Sequence, residues 1–222
     1  MRTSWFLCLS LCAALLAPLP AQAQEAAPPD LKRDGDTLTL DALGQRLALP
    51  LPSWLDAAEV DAAALASAAE TRFTLTDTQA SLMLYPRAEG EGFWTTRMGA
   101  RITLDDTPNL KAYRDVVIIG YAQVCKPEAT AFFQLTPDED DSLPPLGLAC
   151  GSYADIVRGY QGKGEVVVMR FLKTDLGVGL VFQEWLGRAF DPADAQSWPV
   201  TTETVQQRID TFGQSTALAL VD

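Results

Sequence analysis

Gly164 to Leu186 read GEVVVMRFLKTDLGVGLVFQEWL. Side chains alternate in an extended chain, so Val167, Met169 and Phe171 face one way and Val166, Val168 and Leu172 the other. A strand that is apolar on both faces sits centrally in a sheet and is covered on both sides. Asp175 to Gly177 supply the turn, after which a second apolar run returns. Two long strands joined by a short turn make an antiparallel hairpin. The stretch therefore predicts an α+β fold: an antiparallel β-sheet of hairpins and meanders, with helices on its faces.

Outward from that hairpin the pattern repeats. DTLTLDALGQRLALPLP, from Asp36, alternates about a turn at Ala42 to Gly44 and is ended by Pro50 and Pro52. FTLTDTQASLMLYP gives a second hairpin, with Phe73–Leu75 and Ser81–Tyr85 split by Asp77 and Thr78. WTTRMGARITL, TAFFQL and LGLACGSY are further strands. Three segments read as helices. The alanine-rich run from Asp56 to Glu70 is the first, capped by Asp56 or Ser53. In the second, Thr107 and Pro108 fit an N-cap and first position, and Leu110, Tyr113, Val117, Gly120, Tyr121 and Val124 follow at helical spacing. The four β-branched residues Val116 to Ile119 argue for strand there. As a helix, Val116 and Ile119 widen its apolar face and predict deep burial. Val205, Ile209, Phe212, Thr216 and Leu220 mark the third, with Thr201 or Thr202 as cap. This order, with LALPLPSWL leading into the first helix and a long hairpin leading into the last, resembles the PsbP/Mog1-like α+β sandwich. The resemblance implies an assembly or adaptor role rather than catalysis, and brings no functional residues with it.

Residues 1–23 read as a cleaved export signal. Arg2 precedes an apolar core from Trp5 to Leu16, Pro18 and Pro20 break it, and Ala21-Gln22-Ala23 fits a cleavage site before Gln24. The core is too short to span a bilayer. Cys12 lies inside it, after Leu9-Ser10-Leu11, with no small-residue box before it, which excludes a lipoprotein signal. Residues 24–33 form a flexible lead-in, and 34–222 a single domain of ordinary size. The chain's net charge of −12 grows by one negative unit when Arg2 leaves, which argues against nucleic acid and anionic lipid as partners. The chain contains no histidine. That excludes Ser-His-Asp and Cys-His catalysis and nearly all catalytic zinc sites.

Cys8 and Cys12 leave with the signal, so Cys125 and Cys150 remain as an even pair in an oxidising compartment. They are not spaced as CxxC. A disulfide staple is the plainest reading, and closing a loop of about 25 residues stabilises by roughly 3 kcal/mol in the chain-entropy model. A redox pair or half of a metal site are the alternatives. Between them lies PDEDD, where Asp138, Asp140 and Asp141 are candidates for weak calcium binding, although Leu143 stands where an EF-hand needs glycine. A solvated acidic tip is the simpler expectation. Arg158–Glu165, RGYQGKGE, has the wrong spacing for a phosphate loop and leads into a strand; it reads as a mobile hairpin loop. Gly213–Ala217, GQSTA, lacks the last glycine of a nucleophile elbow, and the chain offers no base.

Arg170 and Glu184 are charges inside apolar strands, and form a buried ion pair across the hairpin or line a pocket. Asp155, Asp175 and Glu184 are the acids near those strands suited to carboxylate chemistry. Trp54, Trp94, Trp185 and Trp198 are core residues if scattered and a binding face if clustered and exposed. The sequence thus predicts an exported, monomeric, non-catalytic domain without cofactor that binds an envelope protein or a small ligand. A carboxylate-dependent hydrolase and a calcium-stabilised structural protein are the alternatives. A pocket joining two converging acids points to the hydrolase; a flat apolar patch around Trp54 or Trp185 points to a protein-binding module.

Overall fold

A computed structural model describes residues 24–25, 31–55, 65, 67–139 and 143–221. Its strands are β1 (Gln24–Glu25), β2 (Lys32–Asp34), β3 (Thr37–Ala42), β4 (Gln45–Pro50), β5 (Ala69–Leu75), β6 (Gln79–Pro86), β7 (Thr96–Leu104), β8 (Thr130–Gln134), β9 (Leu146–Cys150), β10 (Lys163–Lys173), β11 (Gly177–Arg188) and β12 (Ala217–Leu220). Two helices, α1 (Leu110–Val124) and α2 (Thr202–Ser215), are among the described elements. The strands form an eight-stranded sheet, in the order β1-β5-β6-β7-β11-β10-β9-β8, and a four-stranded sheet, β12-β4-β3-β2. Every pairing is antiparallel. Over the described residues the architecture is thus mostly antiparallel β, with α1 and α2 beside the sheets.

The β10–β11 hairpin lies at the centre of the large sheet, in register from Lys163–Arg188 to Lys173–Val178. Its two faces feed two cores. Val167, Met169 and Phe171 join Val178, Leu180 and Phe182, with Tyr113, Val117, Ile118 and Tyr121 of α1 packed over them. Val166, Val168, Val181 and Trp185 face the other way, toward Val205, Ile209 and Phe212 of α2. Leu38, Leu40, Leu47 and Leu49 of the small sheet belong to this second core and are fully buried. A sheet therefore shares with α2 the side that was expected to be covered by helices. The reason lies in the β3–β4 hairpin, which alternates cleanly and has an apolar face of its own to bury. Its turn places Leu43 (φ 52°) and Gly44 (φ 70°) in left-handed conformation, as a two-residue hairpin turn requires.

Several local expectations need correction. The first helix was expected over Asp56–Glu70; 56–64 and Ala66 lie outside the described residues, Leu65, Ser67 and Ala68 are helical, and Ala69 and Glu70 already belong to β5. The cap of α1 is Asn109, whose Oδ1 accepts from the Ala112 amide, two residues beyond Thr107. Leu110 alone is buried on α1, while Val116 (67% exposed) and Ile119 (53%) are largely exposed. Thr201 caps α2 as expected, but the helix stops at Ser215 and Ala217–Leu220 form β12 against β4. Within the expected lead-in, Gln24–Glu25 pair with β5 and Lys32 opens β2, while residues 26–30 lie outside the described set, as does the expected signal. Among the described residues no helix is long and apolar enough to cross a membrane.

Candidate functional site

The large sheet carries charge on its α1 side, and the strand register explains where. Glu165 on β10 pairs with Leu186 of β11, and Glu184 on β11 pairs with Arg97 of β7. These three side chains therefore occupy one face of three adjacent strands at one end of the sheet. Tyr121 comes down from α1, and Tyr153 comes from the turn after β9. Glu165 and Glu184 are each only 1% exposed.

Glu184 is fully engaged. Arg97 Nε donates to its Oε2, and the Tyr121 hydroxyl donates to its Oε1 at 2.6 Å. The Arg97 guanidinium also stacks 4.1 Å above the Trp94 ring, and the Trp94 indole donates to the Tyr160 hydroxyl at 3.2 Å. Burial works against the Arg97 charge, but the adjoining Glu184 carboxylate outweighs it and holds the guanidinium protonated. Burial, reinforced by Glu184, keeps the Tyr121 hydroxyl neutral.

Glu165 is only half engaged. The Tyr153 hydroxyl lies close enough to favour its charged form, yet Oε2 has no hydrogen-bond partner. Burial first, and the neighbouring Glu184 charge second, push its pKa up to about 8; the nearby Tyr153 hydroxyl and Arg97 oppose the shift. Burial, with Glu165 alongside, raises Tyr153 as well. Near neutral pH the group is thus an electroneutral cluster: one ion pair, two phenols and one protonated carboxyl.

These residues line a cleft of about 480 Å³. Val116, Val117, Gly120 and Val124 of α1 form one wall. Leu180 and Phe182 of β11 form the floor, and Tyr153, Val157 and Tyr160 close the end beside Glu165. Arg101 lies four residues along β7 from Arg97, about 13 Å down the strand, and its Nε is another buried atom without a partner. Phe182 passes over Gly99, its register partner on β7, where a β-carbon would collide with the ring.

The cysteine pair supports the same end of the cleft. Cys125 caps α1 and is bonded to Cys150 at the end of β9, with Cα atoms 5.7 Å apart. Cys125 also pairs as a single β-bridge with Tyr153. Both cysteines share a buried cluster with Tyr85, Trp94, Tyr153 and Leu186. The staple thus fixes the C-terminus of α1, and with it Tyr121, and the turn bearing Tyr153.

The other candidate residues are placed elsewhere. Arg170 does not meet Glu184; it lies opposite Val181, and its Nη1 donates to the Leu143 carbonyl. Val167 is the residue level with Glu184, so Arg170 lies three residues further along β10 and on the opposite face of the sheet, whereas Arg97 sits directly across from Glu184. Asp155 is exposed and pairs with Lys126 at 3.2 Å. Asp175 borders a separate cavity beside the N-terminus of α1. Asp138 is bound by Arg114 at 2.8 Å and by Gln134, while Asp140 and Asp141 lie outside the described residues. Among the described residues, no three acidic or sulfur ligands are grouped for a metal ion. Trp94 and Trp185 are buried, and Trp54 and Trp198 pack against the large core, so none forms an exposed patch. Glu165 was missed although its signal was local: it lies in phase with Val167, Met169 and Phe171, on the face of a central strand. No protein-family model, curated protein or solved structure matches the chain.

Proposed function

We propose that the protein is an exported, non-catalytic domain that binds a small ligand in the cleft between α1 and the β7–β11–β10 floor. The observation that carries this reading is Glu165: a carboxyl 1% exposed, lining a cleft, with one oxygen unpartnered. A buried polar atom without a partner is unfavourable by about 1–3 kcal/mol, and a ligand donor removes that penalty. Apolar walls with a few polar groups at one end are the usual make-up of a small-molecule site. Export is supported by the amino-terminal signal and by the Cys125–Cys150 bond, which suits an oxidising compartment.

Gly120 provides the test, because it borders the cleft and a β-carbon there meets nothing within 4 Å. Gly120→Trp should fill the cleft and leave the melting temperature nearly unchanged. The uncharged probe N-phenyl-1-naphthylamine should brighten with the wild type and lose that response in the variant. Equal responses, or none from the wild type, refute the reading.

One observation favours the hydrolase as a second reading: two buried carboxyls, Glu165 and Glu184, share a cleft, as the carboxyls of an acid–base pair do. Against it, both Glu184 oxygens are already bound by Arg97 and Tyr121. Glu184 must break an ion pair before it can act as nucleophile or base. Hydrolysis of chromogenic glycosides or esters, abolished by Glu165→Gln, would establish that reading instead.

A further inference from the structure

Resting on the cleft as a ligand site, we propose that the ligand is a small organic cation, an amine with an apolar body, whose ammonium group takes up Glu165 as its counter-ion. The geometry leads there in three steps. First, the vacant atom is Glu165 Oε2, which becomes an acceptor alone once the carboxyl gives up its proton, and an ammonium offers only donors. Second, the charges around it are already balanced. Arg97 of β7 is matched by Glu184 of β11, and Tyr121 of α1 and Tyr153 of the turn after β9 are held as neutral phenols. Lys163 at the start of β10 has its ammonium 5.4 Å from the Tyr160 ring, and Arg101 lines the same cleft, about 13 Å from Arg97 along β7. An incoming cation can therefore replace the Glu165 proton and leave the cluster neutral, whereas an anion adds unpaired negative charge beside Glu184. Third, the end of the cleft is aromatic: the Tyr153 and Tyr160 rings stand 4.8 Å apart, and aromatic faces attract ammonium groups. Val117, Val124 and Phe182 then cover the apolar part.

The exchange balances. The Glu165 carboxyl and the ammonium give a carboxylate–ammonium pair and one released proton. Below the point at which Glu165 ionises, each ligand expels one proton, so the affinity should rise about tenfold per pH unit there and level off above it.

The experiment compares hexylamine, hexan-1-ol and hexanoate as displacers of N-phenyl-1-naphthylamine from the wild type and from Glu165→Gln. Proton release is measured by titration calorimetry in buffers of different ionisation enthalpy. The expected result is displacement by hexylamine at least tenfold better than by hexan-1-ol, one proton released near pH 6.5, and about tenfold tighter binding at pH 7 than at pH 6. Glu165→Gln should lose the amine preference and the pH dependence while keeping the weak hexan-1-ol response. If hexan-1-ol or hexanoate displaces the dye as well as hexylamine, the cleft reading stands and the amine inference falls. If hexylamine binds without proton release, the counter-ion role of Glu165 is refuted on the wild type alone. If the dye itself never binds, the cleft reading fails with it.

Discussion

Glu165 is buried beside a second carboxylate, and its Oε2 has no hydrogen-bond partner. The consequence for stability has a definite sign. Its folded pKa is raised from 4.5 to about 8, so the native state holds the proton more tightly than the unfolded chain. Stability from this group is fully present below the unfolded value and is lost as pH rises toward about 8. Asp41, Asp138 and Glu203 are shifted the other way by their hydrogen bonds and neighbouring charges. They lose stability only as pH falls into the acid range and do not mask the effect. Urea unfolding of the wild type between pH 5 and pH 8 should therefore show a decline of a few kcal/mol. In Glu165→Gln that decline should largely vanish. A wild-type profile that is flat or rising across this window would show that Glu165 ionises at an ordinary value.

Elements, rather than single residues, decide which of these groups meet. The β10–β11 hairpin was legible from its alternation, because strand period and turn chemistry are local. So were β3–β4 and β5–β6. The meeting of Glu184 with Arg97 was not, because β7 and β11 are far apart in the chain and only sheet order brings them together. Helix α1 was legible in place but not in depth. Val116 and Ile119 look like core residues in sequence, yet α1 is laid on the sheet through Leu110, Tyr113, Val117 and Tyr121, and its far side remains open. A helix so lightly buried depends on its ends. The Cys125–Cys150 bond holds one of them, and removing it as Cys125→Ala with Cys150→Ala should cost roughly 3 kcal/mol by loop entropy. Hydrogen exchange should then speed up in α1 and around Tyr153 well before it does in β10 and β11. Equal acceleration everywhere would mean that the bond supports the whole fold and not this end of the cleft. The floor is under a tighter constraint. Gly99→Ala drives a methyl into the Phe182 ring, so it should destabilise by about 1–3 kcal/mol and reduce probe binding. A neutral Gly99→Ala would show that Phe182 can swing aside without affecting the cleft.

At the scale of the molecule, the two sheets, α1 and α2 divide the described residues between two faces. The face toward the small sheet is a leucine-rich core with Gln183, its buried amide, bonded to Ser53. The α1 face is where charge, aromatic rings and the cleft collect. Such a division is not visible in composition, which shows only an acidic chain without histidine. It follows from register, since one strand contributes Val166 and Val168 to the first face and Glu165 and Val167 to the second. The same architecture bears on export. Cleavage before Gln24 leaves that residue as the first of β1, hydrogen-bonded along the edge of β5, so the expected cut would spare every described strand. The Cys125–Cys150 bond is compatible with an oxidising compartment, because a cytosolic pool of thiols would keep both cysteines reduced. Intact mass of the exported protein, alkylated before and after reduction, reads both at once. The expected mass begins at Gln24, with no label before reduction and two labels after it. Labelling of both cysteines before reduction would mean that the chain matures in a reducing compartment. α1 and Tyr153 would then lack their covalent tie, and the cleft would be held by the Tyr121–Glu184–Arg97 contacts alone. Four labels after reduction, on a mass that begins at Met1, would show instead that Cys8 and Cys12 are retained and that the amino-terminal segment is not a cleaved signal.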